Sequence, residues 1–213
     1  MISRFSSARS SVRPRAPRVV TAALAVVAAA TVLAGCTAND DLADRYREGS
    51  GQGYISGDGA YTVIPASERT EPIVFEGETD TGESLSSDDL EGNVVVVNFW
   101  YASCPPCRLE APDLEALSQQ FADEPVRFVG VNIYDQAPTA LAFAEEFGVT
   151  YPSIIDVNDG AVRLAFAGQV APNAVPTTIV LDAQGRVAGR ISGLLTEPSV
   201  LRSMITDTLA EAS

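Results

Sequence analysis

From residue 61 onward, short alternating and apolar runs are separated by turn residues, the pattern of a compact domain. Residues 61–64 and 72–76 read as two strands, and the turn residues at 65–69 between them predict a leading β-hairpin. Asp80 and Gly82 mark another turn over 79–83. After Asn93 comes the run Val94, Val95, Val96, Val97, Asn98, Phe99 and Trp100. A run so continuously apolar has no solvent side, which predicts a strand buried on both faces. Residues 108–121 follow with Leu114, Leu117 and Phe121 at helical spacing, and Pro112 within them predicts a kink.

The second half alternates in the same way. Residues 126–133 predict a strand, 138–147 a helix closed by Gly148, 153–156 a short strand and 160–168 a short helix. Residues 177–181 and 186–191 predict two strands around the turn 182–185. A final helix begins at Thr196 and buries Val200, Leu201, Met204, Ile205 and Leu209. The order is a β-α-β half and a β-β-α half, with strands in front and an α-β insertion between. That order predicts an α/β fold, a mixed central sheet with helices on both faces.

The first 59 residues are different in kind. Five arginines within the first 18 residues precede an apolar stretch over 19–35, which ends at Cys36. A basic segment followed by a short apolar one is the layout of a secretory signal peptide. The ending Leu33-Ala34-Gly35-Cys36 resembles the lipobox of bacterial lipoproteins. That resemblance implies removal of residues 1–35 and a diacylglycerol on the Cys36 sulfur. The alternative is an uncleaved anchor with Cys36 incidental. Both place the domain on the extracytoplasmic face of the cell membrane. Residues 36–59, rich in glycine and aspartate, read as a flexible linker, leaving 60–213 as the folded domain.

Charge narrows the partners. Without the leader the chain carries 9 arginines against 28 acids, a net charge of −19. Such a surface repels nucleic acid, so no nucleic-acid partner is expected. Histidine is absent. No Ser-His-Asp or Cys-His nucleophile can be built, nor any imidazole metal site, and three cysteines are too few for zinc. No metal or cofactor is expected.

The chemistry that remains is that of Cys104-Pro105-Pro106-Cys107. A disulfide across two residues closes almost no loop and constrains the unfolded chain little, so a purely structural bridge is the weaker reading. A buried strand runs into the motif and a helix leaves it, putting Cys104 at a helix N-terminus, where free N–H groups favour a thiolate. From this placement Cys104 is expected at the exposed helix end and Cys107 one turn further in. Pro105 and Pro106 have no N–H, so the first donor for the Cys104 sulfur inside the motif is that of Cys107. Few donors mean a less stabilised thiolate and a more reducing couple.

The run from Asn98 to Pro112, Asn-Phe-Trp-Tyr-Ala-Ser-Cys-Pro-Pro-Cys-Arg-Leu-Glu-Ala-Pro, resembles the active-site run of the TlpA/ResA/DsbE branch of thioredoxin-like proteins. The leading hairpin, the insertion and Ala174-Val175-Pro176-Thr177-Thr178 fit the same branch, from residue 61 to the C-terminus. The resemblance implies a thioredoxin-like fold and a redox-active Cys104–Cys107 disulfide, with Cys104 attacking and Cys107 resolving. It also implies a cis Val175-Pro176 bond whose backbone pairs with substrate, with Trp100 packed beside the site as a candidate part of the substrate-binding surface. Glu110 matches a glutamate to which the branch assigns a role. It reads either as the acceptor of the Cys107 proton or as a solvated surface residue. One departure is Ser103, where the branch usually has tryptophan.

The expected function is an extracytoplasmic thiol–disulfide oxidoreductase acting on exported proteins. The branch implies a reductase fed by a membrane thiol carrier and serving apocytochrome c. An oxidase that installs disulfides is the same-chemistry alternative. A peroxiredoxin-like peroxidase or a non-catalytic surface lipoprotein are the alternatives of another class.

Overall fold

A computed structural model of the protein describes residues 60–170 and 174–211. The expected signal peptide, linker and Cys36 lipid site fall outside the described residues. Strand β1 spans Ala60–Val63, β2 Glu76–Glu78, β3 Ser84–Ser86 and β4 Val94–Trp100. Helix α1 (Pro105–Gln120) leads to β5 (Val126–Asn132), then α2 (Ala137–Phe147), β6 (Ser153–Ile155) and the short α3 (Ala161–Ala165). Strands β7 (Thr177–Leu181) and β8 (Val187–Ser192) and helix α4 (Pro198–Glu211) complete the domain.

The main sheet has the order β1-β8-β7-β4-β5-β6. Central β4 is buried along its whole length, parallel to β5 on one side and antiparallel to β7 on the other. Alternation along it sorts the core. Val95, Val97 and Phe99 pack with Val162 and Phe166 around α3, and Val94 and Val96 pack with Leu114, Leu117, Leu201 and Ile205 of α1 and α4. A period of 2 thus gives each sheet face its own helical cover. This is the mixed α/β sheet with helices on both faces expected from the order of elements, and the thioredoxin-like architecture that the resemblance implies.

The leading hairpin is corrected. Residues 61–64 and 72–76 do not pair with each other. Strand β1 runs antiparallel to β8, Tyr61 opposite Ile191, and the hairpin is β2 with β3 across the turn at 79–83. Ile64 N–H prolongs the β1–β8 ladder to Ala188 O (2.8 Å), and Ile73 N–H turns away to Gly185 O (2.9 Å). The free edge of β8 offers more backbone partners than a local hairpin, and local patterning cannot see that edge. The β2–β3 hairpin reaches the opposite edge, where Thr79 bridges Ile154.

Helix boundaries follow chain chemistry. α1 starts at Pro105, before the expected residue 108, because the first helical positions need no N–H. It continues through Pro112. Gly148 ends α2 at φ 70°, the left-handed conformation that glycine adopts without a Cβ penalty.

Arg69 ties the segment after β1 to the rest. It donates to Ile64 O, to Asp182 Oδ2 at 3.0 Å and to Glu211 Oε1 at 2.9 Å, with its side chain only 2 % exposed. Arg69→Met leaves Asp182 with Arg186 as a partner and so spares it the full cost of an unpaired buried charge; a loss of about 1–2 kcal/mol is expected in urea unfolding. A midpoint equal to that of the wild type would show that the buried pair adds nothing.

Candidate active site

Strand β4 ends at Trp100, and a tight turn closed by Cys104 N–H donating to Tyr101 O (3.2 Å) delivers Cys104 to the start of α1. Cys104 is the N-cap residue, its backbone extended at φ −74° and ψ 111°. Its sulfur accepts from Cys107 N–H at 3.2 Å, the donor expected once Pro105 and Pro106 occupy the first helical positions. Cys104 and Cys107 form a disulfide, with Cα atoms 5.3 Å apart.

The exposure expected of Cys104 is corrected: it is 2 % exposed, as buried as Cys107. The helix end itself is open, since Ser103 and Pro105 on either side are exposed. The sulfur is not, because the bond to Cys107 turns it inward. There it joins an apolar cluster with Trp100, Ala111 and Phe143, against which Tyr101, Ala102 and Val175 pack.

Trp100 is a core residue. It is 5 % exposed, stacks on Phe143 with ring centroids 4.3 Å apart, and donates from Nε1 to Ser153 Oγ at 3.2 Å. That placement makes it packing beside the disulfide and takes it off the surface offered to substrate. Gly130 makes room for it, since a Cβ there would collide with Ser153 Oγ and the indole nitrogen. The only forewarning was a glycine inside a strand.

The Val175-Pro176 bond is cis, as expected, and Val175 packs on the same cluster as the two cysteines. Strand β7 then starts at Thr177, opposite Phe99 of β4, so the loop is anchored to the strand that carries the motif.

Glu110 is not a solvated surface residue. It is 1 % exposed, on the turn of α1 after Cys107. Its carboxylate accepts from Asn98 Nδ2 at 2.9 Å and from Leu195 N–H at 2.8 Å. Burial pushes its pKa up to about 7, against the hydrogen bonds from Leu195 and Asn98, which lower it, and with a smaller upward push from Asp113. Asn98 also donates to Thr178 Oγ1 at 3.1 Å, tying Glu110 to the strand that follows the cis proline. A pocket of about 10 Å³, room for about one water, lies among Asn98, Trp100, Cys107, Tyr151 and Ser153. The parts of Leu195 and Ser153 carry no signal in the sequence, because backbone and side-chain contacts between distant segments leave no local pattern.

The disulfide at a helix start, the cis-proline loop and the buried glutamate can be set beside known proteins. A family model described as Redoxin matches residues 64–205 of the 213. The chain belongs to the Redoxin family. This redoxin is 32 % identical over 119 residues to the thiol-disulfide oxidoreductase ResA of Halalkalibacterium halodurans, covering 56 % of this chain and 65 %, just under two thirds, of that one. A DsbF homologue from Corynebacterium diphtheriae is 32 % identical, with a TM-score of 0.63 over 75 % of this chain and 99 % of its own. A secreted thiol-disulfide isomerase from Corynebacterium glutamicum is 28 % identical, with a TM-score of 0.65 over 74 % of the redoxin and 96 % of its own chain. These likenesses place the redoxin among the thiol–disulfide oxidoreductases of thioredoxin fold.

Proposed function

We propose that this redoxin is an extracytoplasmic thiol–disulfide reductase, held to the membrane by lipid on Cys36, that returns exported proteins to the dithiol state. The observation that carries the reading is the Cys104–Cys107 disulfide at the N-terminus of α1, packed beside the cis-proline loop.

In the reduced protein, rotation of the Cys104 side chain between exposed Ser103 and Pro105 brings the sulfur to the surface. The Cys104 thiolate attacks one sulfur of a substrate disulfide, forming a mixed disulfide and releasing the other substrate sulfur as a thiolate. Glu110 takes the proton of Cys107, whose thiolate attacks the Cys104 sulfur. The second substrate sulfur leaves as thiolate and is protonated by Glu110 or solvent. Two electrons have passed to the substrate, and the protein holds the disulfide seen here. Val175 offers backbone for an extended substrate segment.

The reducing direction is supported by the prolines, which leave Cys107 N–H as the donor recorded to the Cys104 sulfur and so a weakly stabilised thiolate. The resemblance to the TlpA/ResA/DsbE branch supports apocytochrome c cysteines as substrate and a membrane thiol carrier as electron source. The basic and apolar leader with Leu33-Ala34-Gly35-Cys36 supports the membrane tether.

The test is insulin reduction driven by dithiothreitol, together with the redox equilibrium against glutathione. Catalysis is expected, with a potential nearer the roughly −270 mV of thioredoxin than the roughly −120 mV of DsbA. A potential near the latter would reverse the direction in favour of the oxidase, and an inert protein would remove the enzyme.

A further inference from the structure

Around the motif, the backbone of one residue is held from both sides. The turn from Tyr101 to Cys104 has Ala102 at its second position, and the backbone of Ala102 does not join the sheet. Its N–H donates to Asp135 Oδ2 at 2.6 Å, and its carbonyl accepts from Arg108 Nη1 at 3.3 Å. Each of the two grips is itself anchored. Asp135 Oδ2 also accepts from Asn132 Nδ2 (3.0 Å), and the Asn132 Oδ1 accepts from the backbone N–H groups of Tyr134 (3.1 Å) and Asp135 (2.8 Å). Asn132 is fully buried at the end of β5, so the loop carrying Asp135 is fastened to the sheet. Arg108 lies 4.7 Å over the Phe147 ring and pairs with Glu146 at 2.6 Å, fastening the other grip to α2.

The residue between Ala102 and the nucleophile is Ser103, small and exposed, with no bulk of its own to hold the turn in place. Thiol–disulfide exchange needs the attacking sulfur in line with the bond it breaks, first outward toward substrate and then facing Cys107. Both movements are rotations of one side chain about a Cα that must stay still. We propose that Asp135 is a positioning residue of the dithiol, fixing the backbone at Ala102 and with it the Cα of Cys104. This inference rests on the reading of Cys104 as the attacking thiol. Asp135 touches no reacting atom and acts through the turn.

The hydrogen bond can be removed from either end. Asp135→Ala deletes the acceptor, and Ala102→Pro deletes the donor at a turn position where proline is well tolerated. Asp135→Asn keeps an acceptor oxygen and loses the charge. The readout is the second-order rate at which the reduced protein attacks a small aromatic disulfide, measured well below the melting temperature, where a loss of stability alone has no effect. Asp135→Ala and Ala102→Pro are each expected to slow attack about tenfold, since misplacement by a fraction of an ångström carries costs of that order. The double variant should be no slower than either single one, and Asp135→Asn should stay within about threefold of wild type. Wild-type rates in Ala102→Pro, or losses that multiply in the double variant, overturn the proposal. Should Asp135→Ala fail to fold, Ala102→Pro and Asp135→Asn still decide. A wild-type protein that does not react with the disulfide at all sinks the reading of Cys104 instead.

Discussion

Cys107→Ala is expected to abolish turnover, by about a thousandfold or more, while leaving Cys104 able to capture substrate. Once the mixed disulfide forms, release requires a second sulfur within bonding reach of Cys104, and Cys107 is the residue so placed, with its Cα 5.3 Å away. An external thiol must come from solvent to an apolar neighbourhood formed by Trp100, Phe143 and Val175, and it lacks the effective concentration of a tethered group. The covalent complex should therefore persist on a non-reducing gel and vanish with dithiothreitol. Cys104→Ser should lose turnover to the same extent and trap nothing, since Cys107 lies one helical turn behind the open helix end. Expressed in the native host, the Cys107→Ala chain should collect its own substrates, and their identity tests the assignment to apocytochrome c. Complexes that form on the Cys104→Ser chain instead would exchange the roles of the two sulfurs.

Glu110→Gln is expected to slow resolution of the mixed disulfide about a hundredfold at neutral pH, the usual scale for a positioned proton acceptor. With its pKa near 7, Glu110 is half ionised where it works, so the wild-type rate should rise through pH 7. In the glutamine variant that rise should disappear, leaving only the climb toward the ordinary thiol pKa of about 8.5. The same side chain leaves a mark on stability. In the unfolded chain it titrates near 4.5 and in the folded protein near 7, so the folded state binds the proton more tightly. The stability this proton gives is complete below about pH 4.5 and is lost as pH rises through about 7, roughly 3 kcal/mol in all. Urea unfolding across that range should show the fall in wild type and its absence in Glu110→Gln. Identical rate profiles for the two proteins would reduce Glu110 to packing.

Glu110 also shows how far sequence reaches. Its position three residues after Cys107 placed it on the right side of α1, but the same spacing served a solvated glutamate equally well. What decided was α4 and the segment before it folding over α1, bringing Leu195 N–H to a carboxylate 85 positions earlier in the chain. Cys104 shows the converse. Its place at a helix start was legible from a buried strand running into two prolines, while its burial depended on Val175, Tyr101 and Trp100 closing around the bonded sulfurs.

The resemblance to a known branch pointed to the cis Val175-Pro176 bond, while the sequence by itself determined the order of elements from β4 onward and the Cys104–Cys107 pair at a strand-to-helix junction. The last two follow from side-chain periodicity, missing N–H groups and turn chemistry, which act over a few residues. Tertiary structure alone decided that β1 pairs with β8, that Glu110 is sealed from water, that Gly130 makes room for Trp100, and that Asp135 and Arg108 grip Ala102. Each of these joins groups far apart in the chain. Burial, pKa and hydrogen-bond partnership are properties of what surrounds a residue in space, and those surroundings exist only once the sheet has closed.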